Sequence, residues 1–209
     1  MTEKTTFELA PVIPVITLTE VGHAVPLARA LLTAGLRVLE ITIRTPAALP
    51  AIEAIARELP EVIVGAGTLL TPDQFTQARN AGARFCVSPG LTPALAEAAD
   101  DCGLPYLPGV STTTEIMLAR EMGFDTLKFF PAALNGGPAF LKAIYPLFPD
   151  VSFCPTGGVG LENLKEFLDL PNVICVGTSS IATQELIEKA DWKAIAERAQ
   201  HIQHAIENL

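Results

Sequence analysis

Lys128 is the residue that most demands a chemical explanation: it is a lone cation inside TLKFF, an apolar run from Thr126 to Phe130. A strand buried on both faces reads as a near-continuous hydrophobic run, and an ammonium inside it is desolvated at heavy cost unless it is paired or loses its proton. Desolvation lowers a lysine's pKa, and a neutral amine attacks carbonyl carbon. Two plainer readings compete, a lysine that snorkels from the strand end and one that pairs with a buried acid only to hold the core. A suitable acid lies on another strand-like run. In VLEITIR the alternation of a strand puts Val38, Glu40, Thr42 and Arg44 on one face and Leu39, Ile41 and Ile43 on the other. The same parity sets Thr126, Lys128 and Phe130 opposite Leu127 and Phe129. One amine, one carboxylate and one guanidinium then converge with the hydroxyls of Thr68 and Thr156, which stand at or near the ends of two further strand runs. A lysine with an acid partner and an open mouth above it suits Schiff-base chemistry.

Two glycine-bearing turns could hold an anion near that lysine. TGGVG (Thr156 to Gly160) and VGTSSI (Val176 to Ile181) each follow an apolar strand-like run, and glycine lets backbone N–H groups approach a phosphate closely. Gly157, Gly158, Gly177, Thr178 and Ser179 are the candidates, with the Ser179 hydroxyl as a further donor. The plain alternative is that both are tight turns.

Positioning these groups requires a repeated frame, and the chain has one. Strand-like runs at Val12–Leu18, Val38–Arg44, Val62–Thr68, Phe85–Gly90, Tyr106–Ser111, Thr126–Ala132, Ser152–Gly158 and Val173–Ser180 are each followed by a helical pattern. The helical patterns begin at His23, Pro46, near Pro72, near Pro93, Thr113, Pro138, Leu161 and shortly after Ser180, and a last amphipathic helix covers about Asp191 to Asn208. Strict alternation implies a parallel sheet, and eight units predict an α/β fold of the closed (β/α)8 TIM-barrel type with an additional N-terminal helical segment. Such barrels build their sites at the C-terminal ends of the strands, and anions often bind after strands seven and eight. An open doubly wound sheet would need GxGxxG after the first strand; GAGTLL at Gly65 lacks the third glycine and lies on the third. No linker or low-complexity tract divides the chain, so residues 1–209 are expected to form one domain.

Composition narrows the function classes. A net charge of -9, with no clustered Lys/Arg stripe, disfavours nucleic acid and anionic membranes as partners. No apolar stretch approaches the roughly 18 residues of a membrane span, and the start of the chain lacks the basic and apolar blocks of a signal peptide, which places the protein in the cytoplasm. Cys86, Cys102, Cys154 and Cys175 show no CxxC pairing and are expected as buried, reduced thiols. His23, His201 and His204 lack acidic or thiol neighbours at ligand spacing, so no metal site is expected.

VLEITIRT, VGAGTLL, VSPGLT, LKFFPAALNGG and FCPTGG, in this order and spacing, resemble the 2-keto-3-deoxy-6-phosphogluconate (KDPG) / 4-hydroxy-2-oxoglutarate (KHG) aldolase family, from about Pro11 to the eighth strand. The resemblance implies a homotrimeric barrel and a class I aldolase that uses no metal or other cofactor. It implies that Lys128 forms a Schiff base with the keto carbon of pyruvate and that Glu40 shuttles protons. Arg44 and Thr68 match residues around the pyruvate carboxylate, Pro89, Phe130 and Thr156 match the pocket wall, and Gly157, Gly158 and Ser179 match the phosphate end. The expected reaction is reversible cleavage of KDPG to pyruvate and D-glyceraldehyde 3-phosphate. The alternatives are the same chemistry on KHG or on the galactonate epimer, a non-catalytic barrel that binds sugar phosphates, and an epimerase using Glu40 alone. Two positions depart from the family pattern: Ala133 stands where many members carry an acid, and Thr178 stands where a glycine is expected. A β-branched Thr178 is expected to crowd an approaching anion.

Overall fold

The computed structural model describes Phe7 and residues 10–207. The helical segment expected before the first strand lies almost wholly outside them. Parallel strands alternate with helices along most of the chain. They run as β1 (Val12–Ile16), α1 (Ala24–Thr33), β2 (Val38–Thr42), α2 (Ala48–Glu58), β3 (Ile63–Gly67), α3 (Pro72–Asn80), β4 (Cys86–Val87), α4 (Pro93–Cys102), β5 (Tyr106–Leu107) and β6 (Gly109–Val110). There follow α5 (Thr113–Glu121), β7 (Thr126–Phe129), α6 (Gly137–Ile144), β8 (Ser152–Pro155), α7 (Leu164–Leu168), β9 (Val176–Thr178), α8 (Gln184–Glu188) and α9 (Trp192–Glu207).

Among the described residues these strands form two hydrogen-bonded sheets, ordered β5-β4-β3-β2-β1-β9 and β6-β7-β8. The uninterrupted eight-stranded pairing expected from the alternation is therefore not what the ladders show. The fifth predicted strand is split at Pro108, which has no N–H to donate, although its carbonyl still accepts from the Lys128 N–H at 2.8 Å. At the other junction β8 and β9 share no continuous ladder, and the chain there pairs at isolated points, Phe153 with Val173 and Thr156 with Gly177. The sheets nevertheless curl around a common interior. Ile13 of β1, Val38 of β2, Val87 of β4, Leu107 of β5 and Cys154 of β8 pack in one cluster with Phe7, Phe85 and Cys175.

The opposite faces of the strands meet the helices. Leu39, Ile41, Leu127 and Phe129 belong to a second, larger cluster with Leu27 and Leu31 of α1 and Ile52 and Ile55 of α2. The alternation in VLEIT and TLKF thus sorts side chains as their parity predicts, and Lys128 and Glu40 are turned to the interior. Helix starts are set locally. Thr92 caps α4 by accepting from the Leu95 N–H at 3.3 Å, and Glu115 accepts from the Ser111 and Thr112 N–H groups at 2.7 and 2.8 Å at the head of α5. The seventh helical pattern, predicted from Leu161, begins instead at Leu164, because Asn163 folds back on the preceding turn. All four cysteines are buried and unpaired. No helix among the described residues is long and apolar enough to cross a membrane.

Candidate active site

Lys128 and Glu40 come from different sheets and meet in the interior. Lys128 Nζ lies 3.4 Å from Glu40 Oε1, and the two side chains are 5% and 4% exposed. This is longer than the roughly 2.7–2.9 Å of a well-formed charge-assisted hydrogen bond, so the pair recovers little of the desolvation cost that a core-holding ion pair must offset. Space for the carboxylate is provided by β3. A Cβ at Gly67 would stand 2.0 Å from Glu40 Oε1, so a side chain there and the present position of Glu40 are incompatible. Lys128 Nζ also lies 5.3 Å from the centroid of the Phe130 ring, whose face attracts the ammonium form.

Beneath this pair the interior holds a thiol that resists ionisation. The Cys175 thiol is held well above its ordinary pKa by its hydrogen bond with Cys154, by burial, by Cys154 again through charge, and by the charge of Glu40.

Above the pair opens a cavity of about 170 Å³ lined by Lys128, Phe130 and Thr156 on one side and by Val15, Thr17 and Arg44 on another. Its remaining wall is made by Gly157, Gly158, Val159, Thr178 and Ser179. Arg44 is exposed at the end of β2, and its Nε donates to Thr68 Oγ1 at 3.1 Å. Thr68 itself has φ 62°, a left-handed conformation that a β-branched residue rarely adopts; such strain collects at functional sites. The cavity adjoins a second space of about 290 Å³ that shares Val15, Thr17, Arg44 and Ser179 and reaches Thr183 and Gln184.

Most residues singled out in the sequence are thus gathered at one place. Glu40 touches Lys128 from below the cavity, and Thr68 is tied to it through Arg44. Pro89 and Gly177 are placed differently. The Pro89 backbone faces Gly109, where a Cβ would meet its carbonyl carbon at 2.2 Å, and Gly177 backs onto Thr156, where a Cβ would meet the hydroxyl at 2.3 Å. Both are close-approach positions behind the walls. Thr178 does not crowd the cavity with a loose hydroxyl: its Oγ1 donates to the Val159 carbonyl at 2.5 Å and accepts from the Ser180 N–H at 3.1 Å.

Sequence reasoning missed Val15, Thr17 and Gly67. The signal for the first two was present, since alternation along VIPVITL puts Ile13, Val15 and Thr17 on one face and Ile13 packs in the interior. Nothing in the sequence alone marked Gly67, whose role is the space it leaves.

The family model described as KDPG and KHG aldolase matches residues 4–198. Among curated proteins, the 2-dehydro-3-deoxy-phosphogluconate aldolase of Pseudoalteromonas atlantica is 47% identical over 193 residues, 92% of this chain and 90% of that one. The KHG/KDPG aldolase of Escherichia coli is 47% identical over 189 residues, covering 90% and 89%. Among solved structures, KDPG aldolase from Legionella pneumophila, with pyruvate captured at low pH as a covalent carbinolamine intermediate, superposes with a TM-score of 0.91 at 47% identity, covering 93% of this chain and 94% of that one. The Zymomonas mobilis 2-keto-3-deoxy-6-phosphogluconate aldolase with 3-phosphoglycerate gives 0.88 at 42% identity, covering 93% and 91%. A buried lysine beside a carboxylate, at the floor of a cavity rimmed by glycine turns, is thus joined to a match spanning nearly the whole chain, and the chain belongs to the KDPG and KHG aldolase family.

Proposed function

We propose that this protein is a class I aldolase that reversibly cleaves KDPG to pyruvate and D-glyceraldehyde 3-phosphate. The observation that carries the reading is the buried Lys128 Nζ, 3.4 Å from Glu40 Oε1 and open to the cavity. Relatives at 47% identity named for this activity, one of them a structure with pyruvate as a covalent carbinolamine, support it.

The Lys128 amine adds to C2 of the keto acid, and Glu40 carries a proton from the nitrogen to the carbinolamine oxygen. That oxygen leaves as water with a further proton from solvent, which gives the iminium and leaves Glu40 a carboxylate. Glu40 then takes the C4 hydroxyl proton, directly or through one water, the C3–C4 bonding pair flows into the iminium, and the aldehyde leaves. The remaining enamine accepts a proton at C3, and water releases pyruvate and regenerates the amine. Arg44, steadied by Thr68, is suited to the substrate carboxylate, which a guanidinium grips through two oxygens. Phe130 and Thr156 form the wall beside the reacting carbons, and Gly157, Gly158, Thr178 and Ser179 face the distal phosphate. The same chemistry on KHG is the second reading, favoured by the double name of the Escherichia coli relative.

Incubation with pyruvate and borohydride should add a stable mass to the peptide containing Lys128. Labelling at another lysine, or none, refutes the mechanism.

The architecture is read as a single closed (β/α)8 barrel over residues 1–209, a reading supported by the Thr156–Gly177 pairing between the two sheets. A homotrimer in the cytoplasm is also inferred; the exposed Met117, Leu118 and Leu147 offer apolar surface for such contacts. Sedimentation equilibrium tests the oligomer.

A further inference from the structure

The two turns at the phosphate end are held from outside the cavity by side chains that do not line it. In the turn after β8, Asn163 Nδ2 donates to the Gly158 carbonyl at 2.8 Å, and Asn163 Oδ1 accepts from the Gly160 N–H at 2.9 Å. In the turn after β9, Arg198 of α9 donates from Nη1 to the Ser180 carbonyl at 3.1 Å. The Ser180 N–H is taken by Thr178 Oγ1, so both backbone polar groups of Ser180 are held by side chains. Thr178 also joins the two turns through the Val159 carbonyl.

This arrangement fixes the peptides flanking the anion-facing residues. Gly158 has φ 76°, and a Cβ there would stand 2.4 Å from Ala133 Cβ, so its peptide orientation depends on a tight, left-handed fit that the Asn163 bond to its carbonyl secures. Ser179 is joined to Ser180 by the peptide whose N–H Thr178 Oγ1 takes, and Arg198 holds the next peptide, between Ser180 and Ile181, so the short segment that carries the Ser179 hydroxyl is anchored on its far side. A cavity of about 210 Å³ lies behind this turn, lined by Leu161, Glu162, Ser180, Arg198, His201 and Ile202, so the turn is not backed by close packing on that side. Without the guanidinium, the Ser179–Ser180 segment has room to retreat.

We propose that Asn163 and Arg198 are positioning residues for phosphate selectivity, each clamping one of the two turns so that the enzyme prefers a phosphorylated aldehyde end over an unphosphorylated one. The inference rests on the aldolase reading and on the phosphate lying at these turns. Neither residue touches Lys128, Glu40 or the cavity, so the carbon–carbon chemistry itself is left intact when either is changed.

The test compares KDPG with KHG, which carries no phosphate, for the wild type, Asn163→Ala, Arg198→Met and Arg198→Lys. A hydrogen bond of this kind is worth on the order of 1–2 kcal/mol, so KM for KDPG should rise about ten-fold in Asn163→Ala and Arg198→Met. The value of kcat on KDPG, and both constants on KHG, should stay within about two-fold, and Arg198→Lys should recover part of the loss, since an ammonium can still donate to the carbonyl. Competitive inhibition by inorganic phosphate should weaken in parallel. Equal losses on both substrates would show a general structural role and overturn the proposal, as would unchanged KM for KDPG. A wild type that shows neither preference for KDPG nor inhibition by inorganic phosphate would refute the placement of the phosphate, whereas failure to trap pyruvate on Lys128 would refute the aldolase reading itself.

Discussion

Gly67→Ala should disable proton transfer while leaving the amine in place. The added Cβ would lie 2.0 Å from Glu40 Oε1 and 2.6 Å from its Cδ and Cγ, whereas real Cβ atoms essentially never come within 3.0 Å of a neighbour, so the oxygen must withdraw by at least about 1 Å. Gly67 sits in β3, paired with Thr42, and is not among the glycines of positive φ, so alanine suits the backbone and the strain falls on Glu40. A displacement of about 1 Å in a reacting group costs on the order of 100-fold in rate. Deuterium exchange at C3 of pyruvate, followed by NMR, reads this step without aldehyde chemistry and should fall about 100-fold, while borohydride trapping of pyruvate on Lys128 should decline far less. Gly67→Ala combined with Glu40→Asp shortens the carboxylate by one methylene and should be faster than the product of the two single losses predicts. Exchange within about three-fold of wild type in Gly67→Ala would refute the argument that the fit of Glu40 against β3 sets its catalytic position.

Replacing Lys128 with Met should abolish turnover and destabilise the fold by about 3–5 kcal/mol, because it leaves Glu40 buried without its partner; the double variant Lys128→Met/Glu40→Leu should recover most of that loss in chemical denaturation, as expected of a pair kept for chemistry. Glu115 should confer acid sensitivity. Burial would raise its pKa, but hydrogen bonds from the Ser111 and Thr112 backbones and hydroxyls outweigh this and hold it below the ordinary value. Its contribution is therefore complete above the unfolded carboxylate pKa and lost as pH falls through the depressed folded one; because the group is exposed and glutamine can still accept these bonds, Glu115→Gln should lower Tm at pH 7 only slightly and flatten the acid limb of the Tm profile. Burial, with a smaller effect of Cys102, pushes the Cys86 thiol up to about 12, and all four cysteines are buried. Native protein should therefore show almost no thiol reactivity toward a disulfide reagent at pH 8, and all four groups should react after denaturation.

The sequence made the two-residue alternation legible, and with it the inward parity of Glu40 and Lys128, because burial on both faces of a parallel strand leaves few places for a charge. It did not reveal how far each ladder would run. The fifth strand breaks at Pro108 and the eighth shrinks to Val176–Thr178, details set by backbone pairing and not by hydrophobic pattern. The site was readable where a functional group does the work and unreadable where empty volume does, as at Gly67. Thr178 illustrates the difference between residue type and role: as a β-branched residue it reads as an obstacle to an anion, yet its hydroxyl is spent on Val159 and Ser180 and ties two turns together. The support given by Asn163 and Arg198 was equally hidden, since both bond to backbone carbonyls that no side-chain pattern reports.

The separation of Lys128 and Glu40 also bears on how the chain assembles. They are 88 positions apart, one on β2 in the larger sheet and the other on β7 at the centre of the smaller, and contacts of such long range close late because the loop entropy must be met first. The lysine's partner exists only once the two sheets have been brought face to face. Deuterium exchange at C3 of pyruvate, which needs Glu40 as well as Lys128, would therefore clock the union of the sheets during refolding, lagging behind the helical signal in circular dichroism.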